Sequence, residues 1–273
     1  FVNAGFHGGA AAAFALSHHI PISEETSALI GYGALAGNAL GAGLALIPAN
    51  VSSRTVLRSM MGSGVVSSLG GAWAAPHLDL SLGDTTMVGI GSALTMLQVG
   101  SLASVLEEQG ILQHSNQSLG LVLSSGALTS GVLMALSPRL EPEPIDSLFL
   151  ASSAAWGYWY SGLGLVALEP DIDRSQSILV LTGSADLAMG VGAFVISDRM
   201  ELEPRDTLIP QLIGVAGATL GSLFVALGSD ESQAIAWGAL GGSTVGLVGG
   251  AALALGSERT MATNATGEPW VSD

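Results

Sequence analysis

Eight long stretches of this chain, at 27–48, 55–75, 85–106, 117–137, 147–168, 175–197, 207–228 and 233–256, are almost free of charge. The exceptions are Arg58 near the start of the second and Asp186 inside the sixth. Each stretch has about the length that crosses a ~30 Å hydrocarbon core, which takes roughly 20 apolar residues. The charges sit instead in clusters between the stretches. Only 11% of the 273 residues are charged and 49% are hydrophobic, with a mean hydropathy of +0.56. A water-soluble domain typically carries about 25% charge, and its surface helices need a polar face. These stretches have none, so the chain reads as a multi-pass membrane protein.

The clusters are themselves ordered. One loop pattern begins at Ser17, Ala75, Ser137 and Ser197, offsets of 58, 62 and 60 residues. The copies run His18-His19-Ile20-Pro21-Ile22-Ser23, Pro76-His77-Leu78-Asp79-Leu80-Ser81, Pro138-Arg139-Leu140-Glu141-Pro142-Glu143 and Asp198-Arg199-Met200-Glu201-Leu202-Glu203. Three residues later comes Thr26, Asp84, Asp146 or Asp206, a residue type whose side-chain oxygen accepts an unpaired N–H of a first helical turn. These four are expected to be helix N-caps. Each ~60-residue unit is then a hairpin of two helices. The divisions are a partial helix at 1–16, repeats at 17–74, 75–136, 137–196 and 197–257, and a disordered tail at 258–273.

Glycines at intervals of four supply the packing. Gly33, Gly37 and Gly41 form one stripe, Gly217 and Gly221 a second, and Gly238, Gly242, Gly246 and Gly250 a third. Small residues so spaced let helix backbones approach where lipid offers no hydrophobic drive. The expected fold is therefore an all-α transmembrane bundle of tandem hairpins with glycine-zipper packing. Period-two alternation around Asp186 to Ala193 and in the last stretch leaves an alternative, a glycine-rich outer-membrane β-barrel pore. Against it stand the Ala and Leu content, the 5% aromatics and uncharged runs twice a spanning strand's length.

Several functions are excluded by composition. Seven basic residues, all Arg, face 22 acids for a net charge of −15, which argues against binding a phosphate backbone. Without Lys there is no Schiff base or phosphate-loop lysine, and without Cys no disulfide or thiolate metal site. Gly31-Tyr32-Gly33-Ala34-Leu35-Ala36 fits a dinucleotide fingerprint in letters alone, because no acid follows about 20 residues on. No catalytic, metal or cofactor constellation is found.

Asp186 is the sharpest single residue, since an ionisable group inside a span is costly and marks a candidate ion or proton site. His19, His77, Arg139 and Arg199 occupy one column of the repeated loop, a row of boundary cations beside acids such as Glu141/Glu143 and Glu201/Glu203. If hairpins alternate sides, 14 acids including the C-terminal ones share the repeated-loop face and seven the other, while Arg divides four to three and gives no orientation. The leading functional expectation is a non-enzymatic scaffold, anchor or assembly module in a lipid bilayer, associating with itself or with partner transmembrane helices. A transporter or channel centred on Asp186 is the alternative.

Overall fold

The computed structural model describes residues 24–48, 50–78, 80–140, 142–197 and 203–265. They form eight helices: α1 Glu24–Leu46, α2 Ser53–Ala74, α3 Leu82–Glu108, α4 Ser115–Leu140, α5 Pro144–Leu168, α6 Arg174–Ser197, α7 Pro204–Ala226 and α8 Ser232–Ala265, with a short 3-10 turn at Ala75–His77. No strand occurs among the described residues, so the β-barrel alternative is overturned. In the last stretch its period-two signal arose because Gly238, Gly242, Gly246 and Gly250, four apart and facing α7, all fall at even positions and leave larger residues at odd ones. Six helices, all but α2 and α5, are long and apolar enough to cross a membrane. The protein is a multi-pass helical membrane bundle.

The helix starts correct one expectation. Runs expected to begin at 27, 85, 147 and 207 begin at Glu24, Leu82, Pro144 and Pro204, three residues earlier in each case. Asp84, Asp146 and Asp206 are therefore not N-caps but acids at the third helical position, in the first turn, that reach back to the cap. Asp84 Oδ2 accepts the Ser81 N–H at 2.6 Å, while Ser81 Oγ accepts the Asp84 N–H at 3.2 Å. Asp146 accepts from the Glu143 N–H at 3.2 Å and Asp206 from the Glu203 N–H at 2.9 Å. This reciprocal box satisfies donors that would otherwise be unpaired at a membrane boundary. Pro144 and Pro204 at the first helical position cost nothing there, since that N–H has no intrahelical partner. At the other end of the chain, α8 runs through Glu258 to Ala265, so the tail expected from 258 begins inside a helix. Ser257 to Ala265 contains no glycine or proline to stop it.

Sequential helices pair as α1/α2, α3/α4, α5/α6 and α7/α8. Between hairpins one contact recurs: α1 touches α4, α3 touches α6 and α5 touches α8. The first helix of each hairpin thus meets the second helix of the next. Further contacts join α5 to α3 and to α7. The loops join up accordingly. On one face, Gln117 donates to the Ile47 carbonyl at 3.1 Å and Ser175 to Glu108 Oε2 at 2.6 Å, tying the α1, α3, α4 and α6 ends together. On the other, the backbone at Gly83 lies against the Pro142 carbonyl.

Glycine decides how closely the helices approach. A Cβ at Gly33 would stand 2.5 Å from the Ser67 carbonyl oxygen, and one at Gly37 2.5 Å from that of Ser63. Gly41 packs on Ser59 and Ser63, while Gly217 and Gly242, and Gly221 and Gly238, face each other backbone to backbone. Gly246 lies on the Ile213 carbonyl and Gly250 on Pro210, whose Cα would stand 2.5 Å from a Cβ placed there. Serines finish the same seams: Ser63 donates to the Gly37 carbonyl at 2.6 Å, and Ser92 and Ser130 share a buried 2.7 Å bond between α3 and α4.

Candidate functional site

Asp186 lies twelve residues into α6 and eleven before its end. At 1.5 Å per residue that is about 18 Å from the start, the middle of a bilayer core. What fixes its surroundings is the preceding residue. Ala185 is fully buried, and its backbone is so close to α5 that a Cβ on Gly157 would stand 2.6 Å from the Ala185 Cα. Where α5 and α6 touch at Gly157 and Ala185, the next residue on each helix, Tyr158 and Asp186, comes to the same level. Asp186 itself is exposed at the rim of the bundle.

The third contribution comes from α3. Gln98 Nε2 donates to Asp186 Oδ1 at 2.5 Å, a bond between residues 88 apart in sequence. Ser101, one turn further along α3, lies beside the Tyr158 hydroxyl. That hydroxyl is buried and completes no hydrogen bond, though it lies close enough to Asp186 to feel its charge. Three helices thus converge a carboxylate, an amide, a phenol and a hydroxyl at one depth. The group can hold a proton or small cation at Asp186, with Gln98 orienting the carboxylate and two further oxygens at hand. It contains no second acid and no base.

A smaller polar junction lies between α5 and α8, where Tyr160 Oη bonds Thr244 Oγ1 at 3.0 Å and accepts from Ser243 Oγ at 3.3 Å. Near the α1/α3 boundary, Tyr32 donates to the Thr85 carbonyl at 3.4 Å. Both join helices of different hairpins. Neither includes a charge.

The column of boundary cations is described in part. His77 is exposed at the 3-10 turn with its ring edge-on to Trp73, centroids 5.6 Å apart. Arg139 is exposed in the last turn of α4, where a cation suits the negative end of the helix. His19 and Arg199 lie outside the described residues, as do Glu141 and Glu201. The carboxylate partner of the fourth loop is met by a residue outside the column: Arg205 Nε lies 3.0 Å from Glu203 Oε2 and 3.8 Å from Asp206 Oδ1. No group of three or more His, Cys, Asp or Glu suited to a metal ion occurs among the described residues.

Two hollows lie elsewhere. One, about 270 Å³, opens between α5 and α7 beside Trp156 and Trp159. The other, about 950 Å³, is a shallow apolar groove along α7 and α8. Neither is lined by Asp186.

Sequence reasoning singled out Asp186 but missed Gln98, Ser101 and Tyr158. Their residue types are common in spans, and Gln98 and Ser101 reach Tyr158 and Asp186 from a different hairpin, so only tertiary placement distinguishes them. Comparison with protein-family models, with curated proteins and with solved structures finds no match.

Proposed function

We propose that this chain is a membrane-embedded scaffold or assembly module of four tandem helical hairpins closed by glycine zippers. The observation that carries this reading is the backbone-to-backbone seam of α7 and α8, in which Gly217, Gly221, Gly238 and Gly242 face one another. Such a seam commits the helices to a fixed close contact and leaves no room for a pathway between them. The recurring junction of α1 with α4, α3 with α6 and α5 with α8 fits one hairpin unit repeated in one orientation. The large apolar residues on the outer faces, Leu187, Phe194, Leu212 and Phe224 among them, suit lipid or partner helices. The acid-rich loops between them would keep one face of the array strongly negative.

A second reading is favoured by one cluster. Gln98, Ser101, Tyr158 and Asp186 make the kind of midplane polar centre found in proton and ion carriers. Flux through sealed liposomes separates the two. Under the scaffold reading, an imposed proton or potassium gradient decays as slowly with protein as without it. Faster decay that disappears in Asp186→Asn replaces the scaffold with a conductor; faster decay that survives the substitution removes Asp186 from the pathway and still counts against a closed scaffold.

A further inference from the structure

The α5/α7 hollow carries a chemistry that neither reading uses. Both helices begin on the same face, at Pro144 and Pro204, so equal distances along them correspond to equal depths. Ser152 and Gln211 lie eight and seven residues in, and Trp159 and Thr219 fifteen residues in. The hollow therefore runs from about 10 to about 22 Å below the helix starts, inside the hydrocarbon core. Its volume is about 270 Å³, close to the lower end of ligand pockets.

Two indoles shape it. Trp156 and Trp159 stand nearly perpendicular, centroids 6.3 Å apart at 84°. They offer one ring face and one ring edge to a flat guest. Gly214 makes this arrangement possible, because a Cβ there would stand 2.9 Å from Trp156 Cζ2. The hydroxyls in the wall are already committed as donors: Ser152 to the Phe149 carbonyl at 2.8 Å and Thr219 to the Val215 carbonyl at 2.9 Å.

Gln211 is the exception. Its amide lines the hollow and makes no hydrogen bond to any described residue. In hydrocarbon an amide without partners is expensive. A lipid acyl chain fills space but offers it nothing. An occupant that suits the site must bring an oxygen to Gln211 and a ring to the indoles. It must also be neutral, since no charged side chain lines the wall.

We infer that the α5/α7 hollow is a binding site for a neutral, lipid-soluble ring compound bearing a carbonyl or hydroxyl oxygen, the ring seated against Trp156 and Trp159 and the oxygen on the Gln211 amide. The inference is independent of the scaffold reading, because a static module can hold such a molecule as readily as a moving one.

The probe is a short-tailed benzoquinone, which is flat, carries two carbonyl oxygens and quenches indole fluorescence. The reporter is the full chain with Trp73, Trp237 and Trp270 replaced by Phe, reconstituted in vesicles. Saturable quenching is expected, weakened about tenfold in Gln211→Leu, as for loss of one hydrogen bond. Val215→Phe, at the exposed mouth of the hollow, should block it without adding an indole. Helical circular dichroism checks that each variant folds, and Gln211→Leu keeps the residue's size so that the lost bond is read alone. Quenching that rises linearly with the quinone's membrane concentration, or saturation indifferent to both substitutions, overturns the site. Vesicles of brominated-chain lipid supply the other arm. If saturating cyclohexanol, a neutral ring alcohol that does not quench indole, leaves their quenching of Trp156 and Trp159 unchanged, an acyl chain occupies the hollow and the proposal fails; if cyclohexanol relieves it, the ring compound displaces lipid as proposed.

Discussion

Three glycine doublets allow the close-packing argument to be tested one residue at a time. In Gly241-Gly242, a Cβ on the first residue meets nothing within 4 Å, whereas one on the second would fall on the Gly217 carbonyl, 2.8 Å from its carbon and 3.1 Å from the Gly221 Cα. Every atom it strikes is backbone, so no rotamer change relieves the overlap and the helices must part. Overpacking of this kind costs about 1–3 kcal/mol. On the open side, Gly241→Ala gains helix propensity worth up to about 1 kcal/mol in water, and less where the unfolded chain stays helical in detergent. Gly242→Ala should therefore be less stable than Gly241→Ala by about 1–3 kcal/mol, roughly a 5- to 150-fold shift in the folding equilibrium. Gly249/Gly250 repeats the comparison, since a Cβ on the second would stand 2.5 Å from Pro210 Cα, and so does Gly70/Gly71, where a Cβ on the second would stand 2.6 Å from the Leu29 oxygen. The assay is reversible unfolding in mixed micelles with rising dodecyl sulfate, read by tryptophan fluorescence and near-ultraviolet circular dichroism. If both members of each doublet change stability equally within about 0.5 kcal/mol, or if the first costs more, the seams do not hold the bundle together as argued.

Other outcomes follow from the caps, the polar centre and the loops. Asp84→Ala removes the acceptor for the Ser81 N–H and should destabilise the protein by about 0.5–2 kcal/mol in the same unfolding assay; no change would mean that water replaces the box without loss. Gln98→Leu deletes the bond to Asp186 and should cost about 0.6 kcal/mol, at most about 1.7; a loss several times larger would make that bond a keystone of the fold. The chain has no Cys, so single cysteines report topology without background. In sealed vesicles of uniform orientation, Asn50→Cys and Asp171→Cys should label together with an impermeant maleimide, and Glu143→Cys and Glu203→Cys only from the other side. Mixed labelling within either set would show that α2 or α5 fails to cross.

Helix number and order were legible because each run, Arg58 and Asp186 aside, is uncharged and bounded by charge. The starts were misplaced by three residues because two capping rules put an acid near a helix start, and spacing alone cannot say whether Asp84 is the cap or the residue answering it. Pro144 and Pro204 carried the missing information, since proline prefers the first helical position. The residues around Asp186 were not legible for another reason. Gln98 approaches it across a boundary between hairpins, through the contact of α3 with α6, and Tyr158 through the α5/α6 contact of its own hairpin; no local pattern encodes which side chains meet there.

The two helices that fall short of the hydropathy of a span show why composition undervalues a packed membrane helix. α5 carries Tyr158, Trp159 and Tyr160, side chains with a polar end, and it touches α3, α6, α7 and α8. Those polar ends meet protein: Tyr160 bonds Thr244, and Tyr158 lies beside Ser101 and Asp186. A helix with neighbours on so many sides can keep such groups out of lipid, and a helix with fewer could not. α2 reaches the same end at the edge of the array. Ser63 and Ser67 lie against Gly37 of α1, while Met61, Val65, Val66, Leu69 and Trp73 are exposed. Its average falls because exposed Arg54 and Arg58 near its start, together with the serines that face α1, count against it. Low hydropathy in α5 therefore records where its polar groups meet other helices, and the cysteine labelling above is expected to show both α2 and α5 crossing.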